Sequence, residues 1–167
     1  RTTQPVHCLF SMVDQRMNYW LFKSEPDEFS IDMLKSVRRE PWGGVRNYQA
    51  RNYMRDGMRK DDLAFFYHSN CPTPGIVGIC RIAGPAKPDM SQFDPNSDYF
   101  DPASTPENPR WLCVDVSFKR KLKRTIALSE LQQHAEALGD FALTRRGNRL
   151  SVMPVAAAQW DYILALE

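Results

Sequence analysis

Apolar residues in this chain fall into short runs with the spacing of β-strands. Residues 18 to 23, NYWLFK, are rich in aromatic and bulky apolar side chains and predict a buried strand. Residues 62 to 69 and 76 to 82 predict two further strands, and the Pro- and Gly-containing turn between them indicates a hairpin. Residues 111 to 119 alternate between apolar and polar side chains, which predicts a strand with one buried face.

Apolar positions at helical spacing lie between these runs. Ser30 is a suitable N-cap for a short helix that ends near Val37, and residues 46 to 58 predict a second helix. Ser129 is expected to start a third helix, with Gln132 completing a capping box. After a short strand, RLSVM, the sequence suggests that Pro154 occupies the first turn of a final helix.

Strands and helices in this order do not alternate regularly, which argues against a doubly wound parallel sheet. The sequence therefore predicts an α+β fold, a small mixed or antiparallel barrel with peripheral helices. Residues 84 to 110 form a connection longer than usual, rich in Pro, Asp, Ser and Asn. Its aromatic residues Phe93, Tyr99 and Phe100 predict that this connection packs against the domain.

Composition indicates a globular chain of one domain, with 167 residues, 43% hydrophobic and 25% charged. The net charge is only +2, so any contact with nucleic acid must come from a local basic patch. Four cysteines without a C-x-x-C pair favour reduced thiols and a cytoplasmic location over a zinc site or a disulfide framework. No cofactor or metal is expected, and the chain is expected to be a monomer.

The first 16 residues, RTTQPVHCLFSMVDQR, lack the continuous apolar core of a signal peptide. They end just before Met17, where the first predicted strand begins. The expected organisation is a leader over residues 1 to 16, outside the domain, and one domain over residues 17 to 167, with Met17 as the natural first residue.

Candidate chemistry is concentrated between residues 42 and 62, WGGVRNYQARNYMRDGMRKDD. Arginine contacts phosphates, aromatic rings stack on bases, and amide side chains can bind the edge of a base held out of its stack. A second basic run, KRKLKR at 119 to 124, is either a solvated turn or a rim that contacts phosphate. His68, Ser69 and Asn70 either cap the end of a strand or form a hydrogen-bonding cluster at a pocket mouth.

Signatures of common enzymes are missing from the sequence. It contains no G-x-S-x-G, H-E-x-x-H, G-x-x-x-x-G-K-[ST] or G-x-G-x-x-G motif. Ser69 beside His68 does not indicate a catalytic pair, because neighbours on a strand point to opposite faces.

Several blocks of this sequence together resemble the EVE domain family. They run in order over nearly the whole chain after Met17: YWLFKSEPDEFS (19–30), WGGVRNYQARNYMR (42–55), FFYHSN (65–70), GIVGI (75–79), SDYFDP (97–102), PRWLCVDV (109–116) and RLSVMPV (149–155). The resemblance implies a PUA-like fold, a pseudo-barrel of mixed strands with helices around it, related to the PUA, ASCH and YTH domains. It also implies a pocket for a single flipped or unpaired modified base, with modified cytosine in DNA and modified RNA as proposals.

Transferred to this chain, the resemblance assigns each candidate residue a role. Lys23 and Ser24 end the first strand, and Val45, Arg46 and Asn47 begin the helix under the pocket. The stacking candidates are Trp42, Tyr67 and Trp111, and the candidates for binding a base edge are Asn47, His68, Ser69 and Asn70. The residues expected to close the pocket are Arg149, Leu150, Ser151 and Pro154. The residues expected to contact phosphate are Arg51, Arg55 and Lys121. Alternatively, Trp42 is a core residue. The alternative for Arg46 and Asn47 is that they pair internally with the loop containing Asp101.

The function that this implies is a non-catalytic reader of a modified base in DNA or RNA. Two alternatives remain, an ASCH-like enzyme that processes nucleic acid and a binder of nucleotide metabolites. A reader of a polymer needs a basic rim around its pocket, which a metabolite binder does not need. An enzyme needs an activated nucleophile or a metal within reach of the pocket.

Overall fold

A computed structural model describes residues 17 to 167 of the chain. The expectations for the first 16 residues, that they form a leader outside the domain and that Met17 is the natural start, concern residues outside this range. Within it the strands are β1 (Tyr19–Ser24), β2 (Arg39–Pro41), β3 (Leu63–His68), β4 (Gly75–Ile82), β5 (Lys87–Pro88), β6 (Leu112–Cys113), β7 (Asp115–Ala127) and β8 (Val152–Val155). The α-helices are α1 (Ile31–Val37), α2 (Tyr48–Asn52), α3 (Leu128–Gln133), α4 (Ala135–Leu138) and α5 (Ala157–Leu164).

Shorter helical turns complete the described part of the chain. A π-helical turn, Tyr53–Gly57, follows α2 directly, and 3-10 turns occupy Met90–Phe93 and Ala142–Thr144. None of the helices between residues 17 and 167 is long and apolar enough to span a membrane.

Six strands form one mixed sheet in the order β2-β7-β4-β3-β1-β8. β1 and β3 run parallel, with Tyr19 opposite Leu63 and Ser24 opposite His68, and the other neighbours are antiparallel. The hairpin predicted from the turn between residues 69 and 76 is confirmed as β3 and β4. A separate pair, β5 and β6, lies in the long connection. The predicted α+β class is confirmed.

Both faces of the central strands are buried, so each strand contributes to two cores. Phe22 and Phe66 belong to a first core, which also contains Trp42. Leu21 and Phe65 belong to a second core on the opposite face, which also contains Trp160. Because successive side chains of a strand point to opposite faces, the position of a residue within β1 or β3 decides which core it joins.

Ser30 caps α1 as predicted: its side chain accepts a hydrogen bond from Met33 N at 3.1 Å. The capping box predicted at Ser129 is wrong. α3 already begins at Leu128, directly after β7, and its N-cap position is Ala127, whose side chain makes no capping hydrogen bond. The Leu128 N–H instead donates to the carbonyl oxygen of Pro74, which fixes the start of the helix through tertiary contact.

Two other predicted boundaries differ from the structure. KRKLKR, considered as a turn beyond a strand, lies inside β7, where Leu122 is buried against the second core. Pro154, predicted to start the last helix, lies in β8 opposite Trp20, and α5 begins at Ala157. Proline is tolerated there because β8 is an edge strand, where no further strand requires its missing N–H.

The long connection packs against the domain, as predicted from its aromatic residues. The side chain that holds it in place, however, is a buried amide and not an aromatic ring. Gln92 is fully buried, and its Nε2 donates to the carbonyl oxygens of Asp89 and Trp111 at 2.7 and 2.8 Å. Its Oε1 accepts hydrogen bonds from Ser104 Oγ and Trp111 N. Tyr99 and Phe100, in contrast, remain partly exposed.

Candidate functional site

A cavity of about 630 Å³ opens on the face of the sheet that carries the first core. Five parts of the chain line it: the end of β1 with the turn that follows, residues 40 to 45, Ser69, Tyr99, and the pair Arg149 and Ser151. This convergence of segments far apart in sequence makes the cavity the principal candidate for a ligand site.

Backbone hydrogen bonds bring these segments together. Ser69 N donates to the carbonyl oxygen of Ser24 at 2.9 Å, which extends the parallel pairing of β1 and β3 beyond both strand ends. Lys23 N donates to the carbonyl oxygen of Ser151 at 2.8 Å, and Trp42 N donates to that of Val114. The walls of the cavity are therefore held to the sheet at the ends of β1 and β3 and just before the starts of β7 and β8.

Trp42 forms part of the cavity wall, but most of its side chain is in the first core. It is 7% exposed. Its ring centroid lies 5.0 Å from that of Phe22, 5.5 Å from that of Phe66 and 6.1 Å from that of Phe29. These tilted and edge-on contacts are typical of a packed aromatic cluster. Trp42 thus combines the two roles that the sequence left open, as core residue and as pocket wall.

The charged residues of the lining are three carboxylates, Glu25, Glu28 and Glu40, and two cations, Lys23 and Arg149. Glu25 accepts a hydrogen bond from Asn70 Nδ2 at 3.2 Å. Burial lowers the pKa of the Lys23 ammonium. Within residues 17 to 167, the Arg149 guanidinium has no hydrogen-bond or ion-pair partner, so it is available to an anion at the mouth of the cavity.

Arg46 and Asp89 connect the segments beside the cavity. Arg46 Nη1 lies 2.9 Å from Asp89 Oδ2, and Arg46 Nη2 donates to the Tyr99 carbonyl oxygen at 2.7 Å and to Ser91 Oγ. Asp89 also accepts from Gly44 N at 2.7 Å. Burial opposes ionisation of Asp89, but the hydrogen bonds from Ser91, Gly44 and Arg46 outweigh it and lower the pKa of the carboxyl.

The structure brings together seven of the residues predicted for the pocket: Lys23, Ser24, Trp42, Val45, Ser69, Arg149 and Ser151. Arg46 and Asn47 lie beside the cavity in structural roles. Arg46 pairs with Asp89 and also donates to the Tyr99 carbonyl oxygen, in the loop that contains Asp101, so the internal pairing considered as its alternative is present. Asn47 is the N-cap of α2, with its side-chain oxygen accepting from Ala50 N at 3.0 Å.

Neither of the other two predicted stacking residues lines the cavity. Tyr67 points into the second core, on the same face of β3 as Phe65. Burial raises the pKa of the Tyr67 hydroxyl to about 12. Trp111 is buried, stacks on Tyr48 with ring centroids 4.9 Å apart, and donates from Nε1 to Asp101.

Four further residues predicted to bind a base edge or to close the pocket do not line the cavity. Asn70 lies next to it and donates from Nδ2 to Glu25, which is part of the lining. His68 accepts a hydrogen bond from Ile31 N through Nε2 at 3.1 Å, so it holds the start of α1. Leu150 is partly buried between the two cores. Pro154 is exposed at a different surface, next to Met17 and Ala157.

The three predicted phosphate contacts do not line the cavity, and each has an internal partner. Arg51 donates to the Arg110 carbonyl oxygen, Arg55 pairs with Asp56 at 2.8 Å, and Lys121 pairs with Asp32 at 2.7 Å. Such exposed pairs are weak enough that a phosphate could replace them.

Six further lining residues were not singled out from the sequence: Glu25, Glu28, Phe29, Glu40, Pro41 and Tyr99. Phe29, Glu28 and Tyr99 lie within the blocks YWLFKSEPDEFS and SDYFDP that carry the family resemblance. The position of these three residues in the family blocks was therefore a sequence signal for their place in the site. Among residues 17 to 167, no group of three or more His, Cys, Asp or Glu residues is arranged to hold a metal ion.

Comparison with known proteins gives consistent matches along the described domain. The EVE domain model matches residues 18 to 166. Thymocyte nuclear protein 1 of Mus musculus is 45% identical over 168 residues, covering 90% of this chain and 74% of that protein. A crystal structure from Pseudomonas syringae is 49% identical, with a TM-score of 0.85 over 89% of this chain and 98% of that one.

A third relative is described with a ligand. Human THYN1, in complex with 5-methylcytosine-containing DNA, is 42% identical to this chain. The TM-score is 0.85, over 89% of this chain and 96% of that one.

These relatives also correct one expectation. The cytoplasmic location inferred from the cysteines is contradicted, because the relatives carry the name of a nuclear protein. The predicted PUA-like fold agrees with the mixed sheet and with these structural neighbours. A family model that covers almost all of residues 17 to 167, with relatives above 40% identity, shows that this chain belongs to the EVE domain family.

Proposed function

We propose that this protein is a non-catalytic reader that takes one modified base of DNA, a 5-methylated cytosine, into the cavity beside Trp42. The observation that carries the proposal is the cavity itself, on a fold that in human THYN1 is in complex with 5-methylcytosine-containing DNA. Its volume of about 630 Å³ lies within the range of roughly 300–1,000 Å³ that small-molecule sites occupy.

The chemistry of the lining favours cytosine over thymine. Cytosine presents an exocyclic amino group as a hydrogen-bond donor, whereas thymine presents a carbonyl oxygen at the same position. Glu25, Glu28 and Glu40 supply carboxylate acceptors for that amino group. A carboxylate facing the thymine oxygen would leave two acceptors opposed, which is unfavourable in a partly buried site.

The apolar part of the lining supports a methyl group at the 5-position. Phe29, Trp42 and Val45 border the cavity and belong to the first core or pack against it. Burying one additional methyl group against such a surface contributes about 0.8 kcal/mol. The preference for methylated over unmodified cytosine is therefore expected to be about fourfold from this contact alone.

Entry of the base requires that it leave the duplex stack, as in other proteins that bind a single base in a pocket. The sugar–phosphate backbone then remains outside, at the cavity mouth. Arg149 lies there with its guanidinium uncommitted among the described residues, and it is our candidate for phosphate contact.

Three side chains that could serve an enzyme are either held in a hydrogen bond or protonated. The His68 ring nitrogen Nε2 accepts from Ile31 N, and this hydrogen bond occupies the position from which a general base would act. Burial raises the pKa of Cys80 to about 12 and of Cys113 to about 11, so both are thiols at neutral pH. These observations support binding without turnover.

A binding screen tests the proposal. Matched duplexes carrying 5-methylcytosine, 5-hydroxymethylcytosine, cytosine or thymine at one position are titrated at two salt concentrations, together with a modified RNA. We expect the methylated duplex to bind most tightly and the affinity to fall with salt. The Arg149→Ala variant should weaken all duplexes alike and lower the salt slope by about one unit. The matched control is Arg81→Ala, an exposed arginine that pairs with Asp61 and does not line the cavity.

Other outcomes decide against the proposal. Equal affinity for all four duplexes would refute modified-base recognition. Binding of a free nucleotide as tight as that of the duplex, with no dependence on salt, would favour the metabolite binder. Conversion of the oligonucleotide by pure protein would favour the enzyme. Light scattering of the free protein and of the complex checks the expectation that one chain binds as a monomer.

A further inference from the structure

Tyr99 occupies a place in the cavity that the sequence did not reveal. It is 42% exposed, although it lines the cavity of about 630 Å³. It also lines a second cavity of about 410 Å³, which extends along residues 87 to 91. Tyr99 therefore borders two concave surfaces and remains accessible to solvent.

The ring is held in position although it is exposed. The Tyr99 carbonyl oxygen accepts hydrogen bonds from Arg46 Nη2 at 2.7 Å and Nε at 3.2 Å, and the Arg46 guanidinium lies 5.4 Å from the ring centroid. Tyr99 N donates to Ser97 Oγ. The hydroxyl-bearing end of the ring packs so closely over Gly44 that a Cβ on that glycine would lie 2.8 Å from Tyr99 Cζ. A rigid ring with an open surface loses little conformational entropy when a ligand stacks on it.

The other aromatic residues of the lining are less suited to stacking. Trp42 is 7% exposed, and its ring is packed against Phe22, Phe29 and Phe66. Phe29 is itself half-buried against the first core. Stacking on a base requires an accessible ring face.

We propose that Tyr99 is the aromatic residue that stacks on the base taken into the cavity, and that Trp42 is the wall behind it. The inference rests on the proposed function and adds to it the residue that supplies the stacking surface. The Tyr99 hydroxyl makes no hydrogen bond within the described part of the chain, so the ring rather than the hydroxyl carries the role.

Photocrosslinking tests the contact directly. A DNA with 5-iodocytosine at the recognised position carries iodine where the methyl group would be, and long-wave irradiation couples that carbon to a neighbouring aromatic ring with loss of the iodine. Trypsin separates the candidates into different peptides: residues 24 to 35 contain Phe29, 40 to 46 contain Trp42, and 82 to 110 contain Tyr99. Mass spectrometry of the full-length protein then locates the adduct.

We expect the adduct on Tyr99. An adduct on the peptide 40 to 46 or 24 to 35 alone would overturn this inference and leave the cavity as the base site. An adduct outside all three peptides would overturn both this inference and the proposed function, so the two failures are distinguishable.

Affinity measurements on variants add a second, independent readout. Tyr99→Ala should weaken binding of the methylated DNA by about 5- to 150-fold, the range for loss of one stacked base, whereas Tyr99→Phe should bind like the wild type. Phe100→Ala is the matched control, because Phe100 is the next residue, is 39% exposed and does not line the cavity. The inference would be refuted if the Tyr99→Ala variant bound methylated DNA as tightly as the Phe100→Ala variant. Thermal unfolding of each variant separates a loss of contact from a loss of fold.

Discussion

Arg46 and Asp89 join the two halves of the candidate site. Arg46 follows the Trp-Gly-Gly segment that borders the cavity, and Asp89 lies in the long connection that carries Tyr99. Their side chains meet at 2.9 Å, with Asp89 almost fully buried and Arg46 half-buried. This pair holds one wall of the cavity against the other, although neither residue lines the cavity of about 630 Å³ itself.

Removal of Arg46 should therefore destabilise the domain. Arg46→Ala deprives a buried carboxylate of its cationic partner, and we expect the free energy of unfolding to fall by about 1.5–3 kcal/mol. Arg46→Lys should not restore it, because only a guanidinium reaches Asp89, Ser91 and the Tyr99 carbonyl oxygen together. Urea unfolding measures both, with Arg55→Ala as the control for an exposed pair. A loss no larger than that of the control would show that the pair is dispensable.

Trp42→Ala should reduce stability more than any exposed substitution. Deleting an indole packed on Phe22, Phe29 and Phe66 is expected to lower the free energy of unfolding by about 3–5 kcal/mol. Denaturant titration followed by circular dichroism provides the measurement. Trp42→Phe, which retains an aromatic ring, should lose less. Stability close to the wild type in Trp42→Ala would mean that Trp42 is a ligand contact and not part of the core.

Gly44→Ala should disturb the cavity through the backbone. Gly44 has φ of 81°, and an added Cβ would lie 2.8 Å from the Tyr99 ring, so both strain and collision oppose the substitution. We expect a stability loss of about 1–3 kcal/mol together with weaker binding of methylated DNA. Gly84→Ala is the matched control, since its added Cβ would have no neighbour closer than 3.7 Å. Equal tolerance of the two alanines would contradict this account.

His68 should make stability depend on pH. Burial is the main cause that lowers its pKa from 6.5, with Lys121 adding to the shift and Asp32 opposing it. Above pH 6.5 the imidazole is neutral in both states, and its contribution is fully present. As the pH falls below 6.5, the unfolded chain binds the proton first, so the free energy of unfolding decreases.

The matched variant for this test is His68→Gln, whose side-chain oxygen can still accept the hydrogen bond from Ile31 N but does not titrate. Urea unfolding between pH 7.5 and pH 5 should show a steeper loss of stability in the wild type than in the variant. Identical slopes would show that His68 does not contribute to the pH dependence.

The sequence by itself determined those elements whose formation depends on residues close together in the chain. Alternating or continuous apolar runs predicted β1, β3 and β4, and Ser30 predicted the start of α1, because strand burial and helix capping depend on residues a few positions apart. Ordered motif blocks were sufficient to recognise the EVE family, and they included Tyr99 although its role was not apparent.

Tertiary structure alone decided which side chains reach the cavity. Tyr67 and Phe66 are neighbours in β3, and only the cores on either side of the sheet determine that Phe66 lies on the face of the cavity and Tyr67 on the other. The partner of Arg46 lies 43 residues away, in a connection with no regular pattern. Pro154 fits an edge strand only because no further strand pairs beyond β8. Each of these outcomes depends on which distant segments meet, and that is set by packing of the whole sheet and not by the local sequence.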